Sequence, residues 1–343
     1  MLDYQTIWFV LWGVLWAVYF MTDGFDLGIG ILYPFLSKDD QEKRMMINSI
    51  GPVWDGNEVW LVTAGGATFA AFPVAYALIF SYLYTPLLII LFALIFRGVA
   101  FEFRAKGASN AWRQVWDLAI FFGSLIPAML FGVAFGNFFQ GLPMDNLGYY
   151  GSLPGLLNPY SLVTGLLFVA MFVCHGALYL AIRTGDDLGP RAARFVIKAW
   201  VVLVLVAALF VVDTAFATKL FANYMKYVSW LAIPALAVAS LMGIGIFAVK
   251  NQYQRAFVAS CATIVLVVMT GVMGLYPQLL PSSIDPSYSL TIYNASSSPY
   301  TLKIMTVVAL VFVPMVMAYQ LWVYWVFRRP VTKEDILGNK DAY

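Results

Sequence analysis

The stretch that decides the fold runs from residue 21 to residue 58, and two motifs mark its ends: MTDGFD at residues 21–26 and WDGNE at residues 54–58. Apolar residues dominate before and after each motif, so the acids lie inside or at the mouth of two hydrophobic segments. A carboxylate at bilayer depth costs at least a few kcal/mol and normally faces a partner, a cavity or a proton path. These acids are therefore the first candidates for function.

The composition excludes a soluble globular chain. Of the 343 residues, 62% are hydrophobic and only 11% are charged, whereas soluble domains carry about 25% charged residues. The net charge of +2 gives no argument for nucleic-acid binding. Cys174 and Cys261 lie inside apolar runs and are interpreted as packing residues. The first hydrophobic run lacks the features of a cleavable signal peptide, so we expect it to remain as a membrane helix.

The hydrophobic pattern predicts an all-α polytopic membrane protein with a single integral membrane domain over residues 1–343. A spanning helix needs roughly 20 mostly apolar residues, and nine segments qualify, which we expect to form two four-helix bundles plus one peripheral helix. The charged stretch after residue 36 is predicted to be a loop, and prolines inside apolar runs, such as Pro86, should kink their helices. The nine segments cover residues 7–36, 50–72, 74–103, 113–140, 161–182, 191–218, 230–249, 255–279 and 301–327.

The basic residues orient these segments. Lys219, Lys226 and Lys303 are the basic residues on one side of the predicted membrane. By the positive-inside rule the N-terminus then faces outward and the C-terminus faces the cytoplasm. The basic residues on the cytoplasmic side are Lys38, Lys43, Arg44, Arg104, Lys106, Arg113, Arg183, Arg191, Arg194, Lys198, Lys250, Arg255, Arg328, Arg329, Lys333 and Lys340.

The spacing of the acids allows two interpretations. Asp23 and Asp26 are three residues apart and share one helix face, and Asp55 and Glu58 repeat that spacing on the next segment. The first interpretation is a chain of protonatable groups that carries protons inward from the cytoplasm, because buried carboxylates can hold and release a proton near neutral pH. The second is structural: a salt-bridge cluster with Arg97 that ties three helices together, or acids held at the water interface, of which only Glu58 could be wholly interfacial packing. Both remain open at this point.

Arg97 lies well inside the third segment, within FRGVAFEFR at residues 96–104. We predict that it neutralises one acid and thereby tunes the others, with Glu102 as the acid of a tuning ion pair; a purely structural pair is the alternative. Glu102 and Arg104 are expected to reach the surface.

Histidine is scarce, and that bounds the chemistry. His175 is the single histidine, and haem and copper centres usually need several histidine or cysteine ligands. We therefore predict a hydrogen-bonded core histidine. The sequence shows no metal-ligand spacing and no pairing of a nucleophile with a base. The chain alone is a poor candidate for a redox enzyme, and we predict no catalytic or metal-binding residue in it.

Several motifs together resemble subunit II of the bacterial cytochrome bd quinol oxidases. The resemblance rests first on residues 21–30, 46–61 and 96–104. Glu58 and residues 96–104 resemble the branch that includes cyanide-insensitive oxidases, whereas other stretches resemble the bd-I type. Further matching stretches are residues 112–117, 132–137, 281–283, 289–291 and 331–336.

The resemblance implies a function that composition does not show. The family's complex lies in the bacterial cytoplasmic membrane, reduces dioxygen to water with electrons from quinol, and takes protons from the cytoplasm. A larger subunit I of similar fold binds haems b and d, whereas subunit II binds no haem and can hold a structural quinone. Lipids and small single-helix accessory subunits are further implied partners. Small residues at 63–67 would allow either a quinone-sized groove or, as we expect, close helix contact.

The resemblance also implies roles for the acids. Asp55 corresponds to the acid through which the family takes up protons, and Asp23 and Asp26 are its natural relays. Glu58 and Arg97 would tune them. The rival from another class is a stand-alone proton-coupled secondary transporter, which acids and an arginine at depth suit equally well. The confinement of these charges to the first four segments argues against it, because a transporter's second half would need a matching site.

Overall fold

The structure is a computed structural model that describes residues 3–107 and 109–338; Lys340 lies outside the described residues. The helices are α1 (Tyr4–Leu36), α2 (Asp40–Ile50), α3 (Trp54–Ala71), α4 (Pro73–Tyr82), α5 (Tyr84–Phe103), α6 (Asn110–Gln140), α7 (Pro159–Arg183), α8 (Leu188–Ala217), α9 (Phe221–Lys226), α10 (Ala232–Val249), α11 (Tyr253–Leu275), α12 (Pro299–Val326) and α13 (Lys333–Gly338). Two short antiparallel strands are β1 (Gln278–Leu280) and β2 (Leu290–Thr291). Short 3₁₀ helices occupy Arg104–Lys106, Pro154–Leu157, Val228–Leu231 and Pro286–Tyr288.

Eight helices in the described ranges are long and apolar enough to cross a membrane. α3 is not among these eight: its 18 residues rise about 27 Å, but Asp55 and Glu58 in its first turns lower its hydropathy. With α3 included, every predicted segment corresponds to a helix, and the predicted all-α membrane fold is confirmed.

The spanning helices form two groups of four. In the first group α1 packs on α3 and α6, and α5 packs on α6; in the second, α7 packs on α8 and α11, and α10 packs on α8 and α11. α1 and α6 both contact α7 and so join the two groups. α12 lies outside, beside α1 and α3, and Leu302 is its one fully buried residue. This arrangement agrees with the predicted two bundles and peripheral helix.

Glycines allow α1 and α7 to cross closely where the two bundles meet. A Cβ on Gly28 would lie 1.8 Å from the carbonyl oxygen of Phe172, and a Cβ on Gly176 would lie 2.7 Å from the carbonyl carbon of Gly28. Gly24, one turn before Gly28, leaves room for the Phe172 ring. Small residues at this spacing let membrane helices approach until their backbones touch. The crossing therefore fixes the side of α1 that faces the second bundle and, with it, the side that faces α3.

The stretch after residue 36 is a helix rather than the predicted loop. α2 begins after Asp39, whose carboxylate accepts the N–H of Glu42 at 2.8 Å. Glu42 in turn accepts the backbone N–H of Lys38 at 2.7 Å. This exchange resembles a capping box, and the Asp-x-x-Glu spacing was a signal for a helix start.

Two further boundaries differ from the prediction. The segment expected at residues 74–103 is divided at Leu83 into α4 and α5, because Pro86 in the first turn of α5 has no N–H to donate to the preceding turn. The segment expected to end at residue 279 ends at Leu275. Residues 278–280 instead form β1, and the next residue, Pro281, accepts the N–H of Leu142 in the loop after α6 at 2.9 Å.

Replacing Gly28 tests the crossing. Gly28→Ala places a methyl group against backbone atoms that cannot rotate away, so α1 and α7 must separate. We expect a loss of about 1–3 kcal/mol in the free energy of unfolding, measured as a lower midpoint of thermal unfolding in detergent. Gly56→Ala is the matched control, because nothing lies within 4 Å of a Cβ there. Equal midpoints for Gly28→Ala and the unaltered protein would contradict the tight crossing.

Candidate functional site

The candidate site lies where α1, α3 and α5 meet in the first bundle. α5 presents Arg97, and Gly123 of α6 makes room for it, since a Cβ there would lie 2.8 Å from the Arg97 Cβ. α1 presents Asp23 and Asp26, which are both fully buried. α3 presents Glu58 from its second turn. The elements thus bring together four of the residues that the sequence singled out.

Arg97 bridges carboxylates from two other helices. Its Nη2 donates to Asp23 Oδ1 at 2.7 Å and to Glu58 Oε1 at 2.5 Å. The side chains of Arg97 and Asp23 are 0% exposed, and that of Glu58 is 23% exposed. The prediction named one acid as the partner of Arg97, and the structure provides two. These contacts also tie three helices together, so the structural interpretation and the proton-chain interpretation use the same atoms.

Asp26 is held by neutral side chains rather than by a cation. Its Oδ2 accepts the amide Nδ2 of Asn57 at 2.7 Å. Asn57 Oδ1 accepts two hydrogen bonds from α12, from Gln320 Nε2 at 3.0 Å and from the Tyr324 hydroxyl at 2.6 Å. The Trp60 indole N–H donates to Gln320 Oε1 at 2.7 Å. A polar connection therefore runs from α12 through α3 to a buried acid of α1.

Asp55 and Glu102 lie outside this buried cluster. Asp55 is exposed in the first turn of α3, one turn before Glu58. Glu102 is exposed on α5, and the ion-pair partners of Arg97 are Asp23 and Glu58. Five residues along a helix rotate the side chain by about 140°, which places Glu102 on a different face from Arg97. The structure thus does not bring together the predicted tuning pair.

The cluster contains more acid than base. Asp23, Asp26 and Glu58 carry three carboxyl groups against the single guanidinium of Arg97, a formal charge of −2 if all ionise. Asp23 Oδ2, Asp26 Oδ1 and the hydroxyl of Tyr19, one turn from Asp23, are buried and have no hydrogen-bond partner in the described part of the chain. Like charges in a low-dielectric site disfavour full ionisation. The cluster can therefore hold a neutralising proton.

A second ionic cluster centres on Asp117 at the start of α6. Asp117 accepts from the Tyr33 hydroxyl at 2.9 Å, from Lys43 Nζ at 2.7 Å and from Arg104 Nε at 2.6 Å. Arg104 also donates to Asp40 at 2.6 Å. Arg104 is only 3% exposed, so the expectation that it reaches the surface is wrong, because these two acids satisfy it beneath α2. This cluster fastens α2 to α1, α5 and α6.

Glu42 fastens α2 to the second bundle. Its carboxylate accepts from the Arg191 side chain of α8. Burial acts to raise the pKa of Glu42, but the hydrogen bonds from Arg191 and Lys38 outweigh burial and lower that pKa. A carboxyl with a lowered folded-state pKa stabilises the fold above its unfolded pKa and loses that contribution as the pH falls through the folded value. The attachment of α2 is therefore complete at neutral pH and weakens in acid.

His175 ties three helices together in the core. Its Nε2 donates to the carbonyl oxygen of Met21 at 3.0 Å, and its Nδ1 accepts from the Ser260 hydroxyl at 2.9 Å. Its ring stacks on Phe257 at 4.6 Å. Both ring nitrogens thus have partners, and the predicted hydrogen-bonded core histidine is confirmed. Within the described ranges no group of three or more His, Cys, Asp or Glu side chains is arranged to hold a metal ion.

An apolar cavity of about 620 Å³ lies between α1, α3, α4, α5 and α6. Gly65 and Gly66 line it, and nothing lies within 4 Å of a Cβ on either, so these two glycines shape a cavity, whereas Ala64 of the same run is fully buried. The Trp12 indole donates to Thr68 at 2.9 Å. The Trp16 indole N–H is buried without a hydrogen-bond partner in the described part of the chain. Aromatic lining residues include Trp12, Trp16, Phe69, Phe80, Phe135 and Phe138.

Sequence reasoning missed four residues that contact or adjoin the acids. Tyr19 precedes Asp23 by one turn, so the helical spacing was a sufficient signal. Asn57 lies within the quoted motif but was given no role. Gln320 and Tyr324 are four residues apart in an otherwise apolar segment, which marks a polar face. The sequence contained no signal for which helix that face would meet.

Comparisons with known proteins agree on one family. The family model described as cytochrome bd terminal oxidase subunit II matches residues 4–327. Cytochrome bd-I ubiquinol oxidase subunit 2 of Escherichia coli (strain K12) is 40% identical over 374 aligned positions, which cover 99% of both chains. Cytochrome bd ubiquinol oxidase subunit 2 of Bacillus subtilis (strain 168) is 38% identical, covering 98% of this chain and 99% of that one.

A solved structure shares the fold. A chain of the bd oxidase from Geobacillus thermodenitrificans superposes with a TM-score of 0.77, covering 94% of this chain and 98% of that one. Its sequence identity is 18%, so this likeness concerns the fold alone.

Removing the central cation tests the cluster. Arg97→Met leaves Asp23 buried without its counter-ion, and we expect a loss of about 3–5 kcal/mol in the free energy of unfolding, measured as a lower thermal midpoint. Adding Asp23→Asn should restore part of the loss, because the stranded charge is gone. Arg113→Met is the control, since this arginine is 38% exposed and its ion pair is long, at 3.5 Å. A double variant no more stable than Arg97→Met would show that this pair does not stabilise the fold.

Proposed function

The chain belongs to the cytochrome bd terminal oxidase subunit II family, and from this premise we propose that it supports a larger haem-bearing subunit I and leads cytoplasmic protons to the site of oxygen reduction there. It is a component of a respiratory quinol oxidase, a helical membrane protein of the bacterial inner membrane. One observation carries the proton-path proposal. The chain of acids begins at exposed Asp55, continues through Glu58 and reaches buried Asp23 through the shared Arg97.

The distribution of basic residues supports an orientation with the N-terminus outside and the C-terminus in the cytoplasm. α2 and the first turn of α3 then lie on the cytoplasmic side. Asp55 is exposed in that turn, where it can exchange protons with water. We therefore assign Asp55 as the uptake group.

Geometry assigns a role to each inner group. Glu58 lies one turn deeper than Asp55 and receives the proton next. Arg97 does not carry protons, because a guanidinium stays charged; it holds one oxygen each of Glu58 and Asp23. Among the residues that the structure describes, Oδ2 of Asp23 and Oδ1 of Asp26 have no hydrogen-bond partner, so each acid can bind a proton at one oxygen while the other oxygen stays fixed. Asp23 and Asp26 are the relays.

In this proposal haems b and d lie in subunit I, where they would carry out the reduction of dioxygen. Residues of this chain orient no haem; they hold and move protons and support the partner. The transporter alternative is set aside because the family to which the chain belongs is that of an oxidase subunit.

The apolar cavity suits a structural quinone. Its lining is almost wholly apolar, as an isoprenoid tail requires, and its volume of about 620 Å³ is in the usual range of ligand pockets. The Trp16 N–H, which has no hydrogen-bond partner within residues 3–107 and 109–338, supplies a donor for a quinone carbonyl. Trp16 and the cavity's aromatic rings would therefore hold the quinone.

Neutralising the uptake group tests the proton path. In the purified two-subunit complex we expect Asp55→Asn to lower quinol-oxidase turnover by on the order of ten- to a hundredfold, with normal haem content, because the haems are held elsewhere. Asp55→Glu should retain most of the rate. Asp213→Asn is the matched control, since this aspartate lies on α8 in the second bundle. Asp55→Asn turnover at the normal rate would exclude Asp55 as the uptake group.

Removing one donor tests the quinone site. Trp16→Phe should weaken quinone retention by about two- to tenfold, the worth of one hydrogen bond, measured by organic extraction of the washed complex and chromatography. Trp322→Phe, on the exposed side of α12, is the control. Equal quinone content in all three proteins would contradict the assignment of Trp16.

A further inference from the structure

α12 is attached to the first bundle by polar contacts at two levels. At one end the Trp8 indole donates to the carbonyl oxygen of Leu302 and to Thr306 Oγ1, both at 3.0 Å. Five turns along, Gln320 and Tyr324 bond to Asn57. The first level only secures the helix, whereas the second ends on Asp26. An otherwise peripheral helix thus reaches a buried acid.

The hydrogen bonds at the second level have a fixed direction. An indole N–H can only donate, so Trp60 requires the oxygen of Gln320 to face it. The nitrogen of Gln320 must then face Asn57, which presents its oxygen in return. Asn57 is left with its nitrogen toward Asp26. The orientations of the Gln320 and Asn57 amides therefore both follow from the Trp60 indole, which can only donate.

Tyr324 reinforces the same orientation. Its hydroxyl donates to Asn57 Oδ1 at 2.6 Å, so two donors hold that oxygen. Reversing the Asn57 amide would remove the acceptor that Tyr324 uses and would place the Asn57 nitrogen against the Gln320 nitrogen, which can only donate. Asn57 is fully buried, and buried donors that face each other cost free energy. Asn57 therefore presents a donor to Asp26 whether or not Asp26 carries a proton.

We propose that Trp60, Gln320 and Tyr324 are positioning residues that lock the Asn57 amide and thereby promote proton release from Asp26. The inference rests on the proposed function, in which Asp26 is a relay. Amide side chains do not pass protons in this arrangement. Their contribution is a donor that stabilises the carboxylate left after the proton has gone.

Other groups also act on Asp26, and all of them except Tyr324 stay unchanged in the test. They come from α1, α3, α5, α7 and α12, and they are Asp23, Glu58, Arg97, Tyr179 and Tyr324. Tyr324 is the one of these that the variants alter. Replacing it by Phe removes a neutral hydroxyl, so the formal charge around Asp26 is the same in every protein compared.

The test uses Tyr324→Phe and Trp60→Phe in the purified two-subunit complex. Infrared difference spectra follow ionisation of buried carboxyls with pH, and Asp26→Asn identifies the Asp26 band by its loss. We expect both variants to keep Asp26 protonated to a pH higher by about half to one unit, the effect of one hydrogen bond. The pH profile of turnover should move in the same direction. Tyr319→Phe is the matched control, since Tyr319 lies on the same helix and is 64% exposed.

The possible results separate this inference from the proposed function. If the Asp26 band titrates at the normal pH in both variants, the positioning role is overturned. The same holds if the variants lose haem or subunit I with no change in that titration, because α12 would then act only in assembly. If the band shifts as expected while Asp26→Asn turns over at the normal rate, the positioning role stands and the relay role of Asp26 fails.

Discussion

The buried bridge from Arg97 to Asp23 and Glu58 is the interaction on which the first bundle depends. Removing two charges from water costs several kcal/mol per ion, and the pair offsets that cost only when its geometry is close. The 2.7 Å and 2.5 Å contacts meet that condition only at Nη2, since Nε and Nη1 of Arg97 are buried without a partner among the described residues. The two contacts also force three helices into one register. Gly123 of α6 allows α5 to lie in this position, because a side chain there would collide with α5.

Backbone packing and buried charge are linked through α1. Its glycine face meets α7 at Gly28, and its acidic face meets α3 and α5 at Asp23 and Asp26. A rotation of α1 that relieved one contact would break the other. The same rigidity holds in fixed positions the two carboxyl oxygens, Asp23 Oδ2 and Asp26 Oδ1, that have no partner in the described part of the chain, as a proton relay requires.

The sequence predicted most of the fold and only part of the site. Hydrophobic runs located nine segments that all correspond to helices in the described residues, because the bilayer imposes a minimum length, although one segment is divided into α4 and α5. Helical spacing placed the acids on shared faces. The sequence pattern did not predict the hydrogen-bond and ion-pair partners of those acids. Glu102 was the predicted acid of the tuning pair, whereas helix rotation places it on another face and Arg97 pairs with Asp23 and Glu58. The helix α2 was missed because its high charge suggested a loop despite its capping signal. The burial of Arg104 was missed because the acids that neutralise it come from other helices.

α12 shows why the remaining contacts could not be predicted. Its segment is nearly uniformly apolar, so its pattern does not say which face turns inward. Gln320 and Tyr324 determine which face of α12 turns inward, because Asn57 of α3 lies opposite them and accepts their hydrogen bonds. A hydrogen-bond partner inside a membrane is more specific than apolar contact, since lipid can replace apolar side chains but cannot replace a donor. The helix that buries least is therefore oriented by its few polar contacts, and those contacts end at an acid of the proposed proton path.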